Sequence, residues 1–138
     1  MKKTIITVAL VLALVAAIAV PVMAAAQKVA LTPIPGLSGG GFVIFNNSAG
    51  PNNLEVTVAL KGAPANATYD IYLFVDGSWY NGAPVGTVTT NKQGNANFHI
   101  NVAVDPGETH DLDVDVALPV TGADQFLTPW GQTSILFK

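Results

Sequence analysis

The chain has no cysteine and no arginine, and charged residues make up only 11% of its 138 positions. Each shortage removes a class of chemistry. Without a thiol there is no disulfide, no zinc–thiolate or iron–sulfur centre, no cysteine nucleophile and no lipoprotein acylation. Without arginine, and with a handful of scattered lysines, the basic cluster that displaces counterions from a phosphate backbone is missing, which argues against nucleic acid as a partner. Helical periodicity is also missing. After residue 26 no window places apolar residues every three to four positions.

What is present begins with an address. Met1-Lys2-Lys3 is a short positive start, Ile5 to Val22 is apolar apart from Thr7, and Ala24-Ala25-Ala26 supplies small residues. This is the three-part pattern of a secretory signal over 1–26, with cleavage after Ala24 or Ala26. The alternative is an uncleaved anchor, since the apolar run is nearly long enough to span a bilayer. Either way the body is expected outside the cytoplasm, secreted or in the cell envelope, with membrane contact only through that segment. Removing it leaves roughly 112 residues, enough for one core. That remainder carries four lysines against nine acids, a net charge of −5.

Gln27 to Gly41 reads as an extended arm, with Pro33 and Pro35, followed by a glycine-rich joint. The body, 42–138, reads as a run of short strands. Leu54, Val56, Val58 and Leu60 alternate with polar neighbours; Tyr69, Ile71, Leu73 and Val75 do the same; so do Phe98, Ile100, Val102 and Val104, and then Leu112, Val114, Val116 and Leu118. Phe42 to Phe45, Val85 to Thr90 and Ile135 to Phe137 supply shorter runs. About seven strands with turns every 8–12 residues predict an all-β, antiparallel sandwich of immunoglobulin-like type, with a small barrel or jelly roll as the alternative.

Two stretches carry a resemblance. Gly62-Ala63-Pro64-Ala65-Asn66-Ala67-Thr68-Tyr69 resembles the Pro-Asn-x-x-Tyr turn of fibronectin-III-like and bacterial immunoglobulin-like domains. Thr89 to Phe98 is similar to the Asn-Gly hairpins of secreted prokaryotic modules of that kind. The resemblance spans roughly Leu54 to Val104. It implies structural, adhesive or carbohydrate-proximal roles, and it supplies no catalytic residue.

Four groups of residues are candidates for contact. Tyr72 and Phe74 lie opposite the expected core face, with Trp79 and Tyr80 on the next loop; they form either a ligand-binding surface for a glycan or protein, or a second packed layer. Asp105, Glu108, Asp111, Asp113 and Asp115 form an acidic run. Calcium is the cofactor such a run could take, but alternate residues of a strand stand about 6.5–7 Å apart in a row that does not converge. A solvated strand face is the competing reading. Asn46 and Asn66 head glycosylation sequons. The apolar arm could also add to a neighbouring copy's sheet, making a filament subunit by self-association.

Two further motifs lack their context. Gly36 to Gly40 matches a nucleophile elbow with no helix after it, and Leu118 to Gly122 matches a sortase signal with no apolar span and basic tail behind it. The expected function is therefore that of an exported, non-catalytic module in structure or adhesion, with a small carbohydrate- or calcium-binding module as the alternative.

Overall fold

The structure is a computed structural model that describes residues 26–48, 50 and 52–137. The expected signal segment, apart from Ala26, lies outside the described residues. Ten strands form: β1 (Ala26–Pro33), β2 (Gly40–Asn46), β3 (Asn53–Lys61), β4 (Thr68–Val75), β5 (Ser78–Trp79), β6 (Gly86–Thr89), β7 (Ala96–Ala103), β8 (Thr109–Ala117), β9 (Asp124–Leu127) and β10 (Ser134–Leu136). A short 3-10 turn, Tyr80–Gly82, follows β5. All pairings are antiparallel, in the order β5-β4-β8-β9-β1-β2-β3-β7, with β6 also on β4 and β10 also on β8. Among the described residues no helix is long and apolar enough to cross a membrane.

The expected alternation decides which way each strand faces. Val56, Val58 and Leu60 of β3, Tyr69, Ile71 and Leu73 of β4, and Leu112, Val114 and Val116 of β8 are all buried. They meet Val43 and Phe45 of β2 and Phe126 of β9 in one core, where Tyr69 stands edge-on to Phe126 at 5.8 Å. Each such side chain contributes roughly 1.5–3 kcal/mol by leaving water.

The sheet curls until its ends meet. β6, beside β4, lies against β7 at the far end of the strand order. Gly86 permits this approach: a Cβ there would stand 2.2 Å from the Phe98 ring. Gly94 closes the β6–β7 hairpin in the left-handed region (φ 76), and a Cβ there would stand 1.9 Å from the Ala63 carbonyl. A glycine without a side chain is the only residue that meets both demands.

Three expectations change. The segment read as an arm is β1. Its residues Ala26–Leu31 pair with β2, and Thr32 and Pro33 pair with β9, so it joins the two halves of the sheet. Residues 26–31 are engaged on β2 and residues 32–33 on β9, so removing the strand to another copy would require breaking those ladders. Two strands that alternation did not reveal, β5 and β9, are present because they pair with long neighbours at β4 and β8. Among the described residues the strand count is ten rather than about seven.

Candidate functional site

The face of β4 and β8 that points away from the core carries two adjoining features. Registry sets the first. Phe74 of β4 lies across from Asp113 of β8 on one side and Trp79 of β5 on the other, and Tyr72 lies across from Asp115. Directly opposed residues share a face, so these side chains share the outer surface. The tight turn Asp76-Gly77, both residues at positive φ (52 and 76), folds β5 back and brings Trp79 over β4.

The rings then form a connected group. Trp79 is 5.2 Å from Tyr72 and 6.1 Å from Phe74, and Trp130, from the loop after β9, is 5.0 Å from Phe74 and edge-on to it. Phe74 is almost covered, at 7% exposure, whereas Trp79 and Trp130 remain 55% and 56% exposed. The choice between second layer and surface thus resolves residue by residue. Phe74 is packed beneath two tryptophans, and the tryptophans present the surface.

The loop that delivers Trp130 also changes the acidic row. Gly131 N–H donates to both carboxylate oxygens of Asp113, at 3.1 and 3.3 Å, and Asp113 is 2% exposed. The row is therefore not a uniformly solvated face. Burial raises the pKa of Asp113 against the opposing Gly131 and Thr128 hydrogen bonds. Asp115 is half-buried, and burial, followed by the charges of Asp124 and Asp113, pushes it up to about 6. Asp111 is exposed and accepts the Ser134 hydroxyl.

The second feature is a corner at the start of β8. His110 is 4% exposed. Its Nδ1 is 2.7 Å from Asp76 Oδ2 and its Nε2 is 2.9 Å from the Asp105 carbonyl. A carbonyl and an ionised carboxylate only accept, so both ring nitrogens donate and His110 is held as the imidazolium. Burial pulls its pKa down, but the hydrogen bonds to Asp76 and Asp105 and the charges of Asp76 and Glu108 outweigh it, leaving it raised. The hydrogen bond from His110, and then that from the Asp111 N–H, hold Asp76 below the usual carboxylate range. An open cleft of about 360 Å³ adjoins this corner, lined by Asn52, Asp76, Tyr80, Asp105 and His110 among others.

The candidate residues therefore separate. Tyr72, Phe74 and Trp79 come together, but Tyr80 turns into the cleft and leaves the aromatic group. Trp130 replaces it; the only signal in the sequence was that it is the chain's second tryptophan. Asp105, Glu108, Asp111, Asp113 and Asp115 do not converge. Among the described residues no three carboxylates or imidazoles gather as metal ligands. Asn46 closes β2, where its amide donates to Glu55 at 2.8 Å and its oxygen accepts from the Ser48 N–H. Asn66 is exposed at a positive-φ turn position. Of the histidines, His110 is engaged at both nitrogens, and His99 pairs across strands with Thr57 at 3.0 Å on an exposed face. Gly36 lies in the β1–β2 turn, and Leu118 to Gly122 forms the β8–β9 turn, closed by Gly122 N–H to the Leu118 carbonyl. Searches of protein-family models, curated proteins and solved structures find no match to this chain.

Proposed function

We propose that the chain is an exported, non-catalytic β-sandwich module of immunoglobulin-like type that adheres to a partner in the cell envelope or extracellular space through the aromatic face of β4 and β5. The observation that carries this reading is the pair of half-exposed tryptophans flanking a buried Phe74. A soluble domain gains stability by covering such rings, and large aromatics left out on a rigid sheet are the usual anchors of binding surfaces. The sheet holds Trp79, and the Phe74 contact with the Gly131–Asp113 hydrogen bonds fixes the Trp130 loop, before a partner arrives, so little ordering entropy is lost on contact. The non-catalytic part of the reading draws on His110, whose two nitrogens are already engaged.

Under this reading the leader-like segment over 1–26 directs export. Cleavage after Ala24 leaves β1 whole, and cleavage after Ala26 removes its first residue. The test has two parts. Expression in a secreting bacterial host should yield an extracytoplasmic product whose N-terminus is Ala25 or Gln27; retention of the intact chain in the cytoplasm would oppose export. A Trp79→Ala/Trp130→Ala variant with an unchanged far-UV circular dichroism spectrum should lose binding to envelope preparations and glycan arrays that the wild-type chain retains. Equal retention by both would remove the aromatic face as the contact.

A further inference from the structure

We infer that the partner of this face is a basic polypeptide segment, whose lysine or arginine side chains lie over Trp79 and Trp130 while their charges meet Asp115 and Asp124. The inference rests on the reading of the aromatic face as the contact surface.

The strands of the aromatic face, β4, β5, β8 and β9, carry no lysine. Lys28 lies on β1, its ammonium 4.0 Å over the Phe42 ring, Lys61 ends β3, and Lys92 sits in the β6–β7 turn. The strands of the aromatic face carry the opposite sign: Asp70 on β4, Asp113 and Asp115 on β8, and Asp124 on β9. Among the described residues the one ion pair is His110 with Asp76, so none of Lys28, Lys61 and Lys92 pairs with these carboxylates. Asp115 sits half-buried among them across from Tyr72, and burial first, then the charges of Asp124 and Asp113, pushes it up to about 6.

Ligand classes differ in what they do to these charges. A neutral sugar would stack on the tryptophans and leave Asp115 further desolvated. A cation placed over a tryptophan face gains from the ring quadrupole and offsets the carboxylate charge in the same step. The carboxylates are distributed over β4, β8 and β9, on neighbouring strands about 4.8 Å apart. Matching them takes several cations on one backbone rather than one small amine. Trp130 is tied to the buried Asp113 through its neighbour Gly131, and Tyr72 lies across from the half-buried Asp115, so the anionic group at the surface adjoins the rings.

The experiment uses a convenient property of the composition. The chain's two tryptophans are Trp79 and Trp130, so intrinsic tryptophan emission reads this face alone. The full chain is titrated with hexalysine and hexa-arginine peptides at low salt, and in parallel with neutral hexasaccharides. The expected result is a saturable emission change with the basic peptides. Its midpoint should weaken about tenfold in Asp115→Asn/Asp124→Asn. It should move less than about twofold in Asp105→Asn/Glu108→Gln, which removes the same charge from another turn. No saturable response to either peptide overturns the inference. So does equal weakening in both double variants, which would mean attraction to net charge alone. A saturable response to a neutral hexasaccharide without one to the peptides also overturns the cationic partner while supporting the aromatic face as a contact surface. Silence toward both probes, together with wild-type envelope binding by Trp79→Ala/Trp130→Ala, sinks the contact surface itself.

Discussion

The strand β8 treats its carboxylates and their neighbours in two opposite ways. At its start, His110 and Asp76 satisfy each other: the carboxylate has a charged donor and a backbone N–H, and its pKa falls. Three to five residues further on, Asp113 is buried beneath the Gly131 N–H and Asp115 is half-buried beside Asp124 and Asp113, and burial before all else raises both pKa values. The corner ties β8, the β4–β5 turn and the β7–β8 turn into one hydrogen-bonded unit. The aromatic face stores unrelieved charge beside exposed rings. The difference teaches where to look for a contact surface in this domain. A group whose charge is balanced within the chain serves the fold, whereas uncompensated groups on a rigid surface are free to serve a partner.

The contrast is broken most strongly at the corner. His110→Ala should cost about 3 kcal/mol of unfolding free energy, because it removes a buried ring that packs on Phe137 and leaves the Asp105 carbonyl without its donor. Urea denaturation at pH 5.5 measures it, and a cost under about 1 kcal/mol would mean the corner is not a lock.

The pH dependence sharpens the same point. The raised pKa of His110 contributes stability that is full below its unfolded value near 6.5 and is lost as pH rises through the higher folded value. The lowered pKa of Asp76 contributes stability present above its unfolded value near 3.8 and lost as pH falls through the folded one. The wild-type advantage over His110→Ala should therefore be widest between about pH 4 and 6.5 and narrow above that window. Thermal unfolding across pH checks it, and a difference that grows from pH 6.5 to 9 would contradict the assignment of an imidazolium.

Asp115 should behave in reverse. Its elevated pKa means that the folded state holds its proton more tightly, so stability falls as pH rises from about 3.8 to about 6. Asp115→Asn should stabilise by about 1 kcal/mol at pH 7.5, after allowing for solvent screening, and by nothing measurable at pH 3.5. Paired denaturation curves at the two pH values decide it.

The smallest effect on folding is expected at Trp79. Because it is 55% exposed, Trp79→Ala should cost roughly 0.5–1 kcal/mol while removing the proposed binding contact. Equilibrium denaturation set beside partner binding separates the two roles. A loss of several kcal/mol would reclassify Trp79 as a structural lid on Phe74.

Much of the scaffold was legible because alternation is a local signal. The inward residues of β3, β4 and β8 follow from period two alone, and nearly all are buried. What escaped was short or distant. β5 has two residues and β9 has four, too few for a period, and each exists through its neighbour. β1 reads as extended, but nothing in its composition indicates that it bridges β2 and β9. Part of the site was legible too: Tyr72, Phe74 and Trp79 lie within a few residues of one another. Trp130 is more than fifty residues away from them and arrives on a loop. Asp76 and His110, 34 positions apart, meet only because β4 and β8 are paired.

By itself, then, the sequence determined the strand class, the inward face of each long strand and the chemistries that a chain without cysteine or arginine cannot perform. These depend on residue type and on a repeat of two, which no tertiary contact alters. Tertiary structure alone decided which acid is paired and which is left repelling its neighbours, and which aromatic is lid and which is core. Those outcomes depend on strand register and on loop closure, where a shift of one residue would exchange every partner across the face.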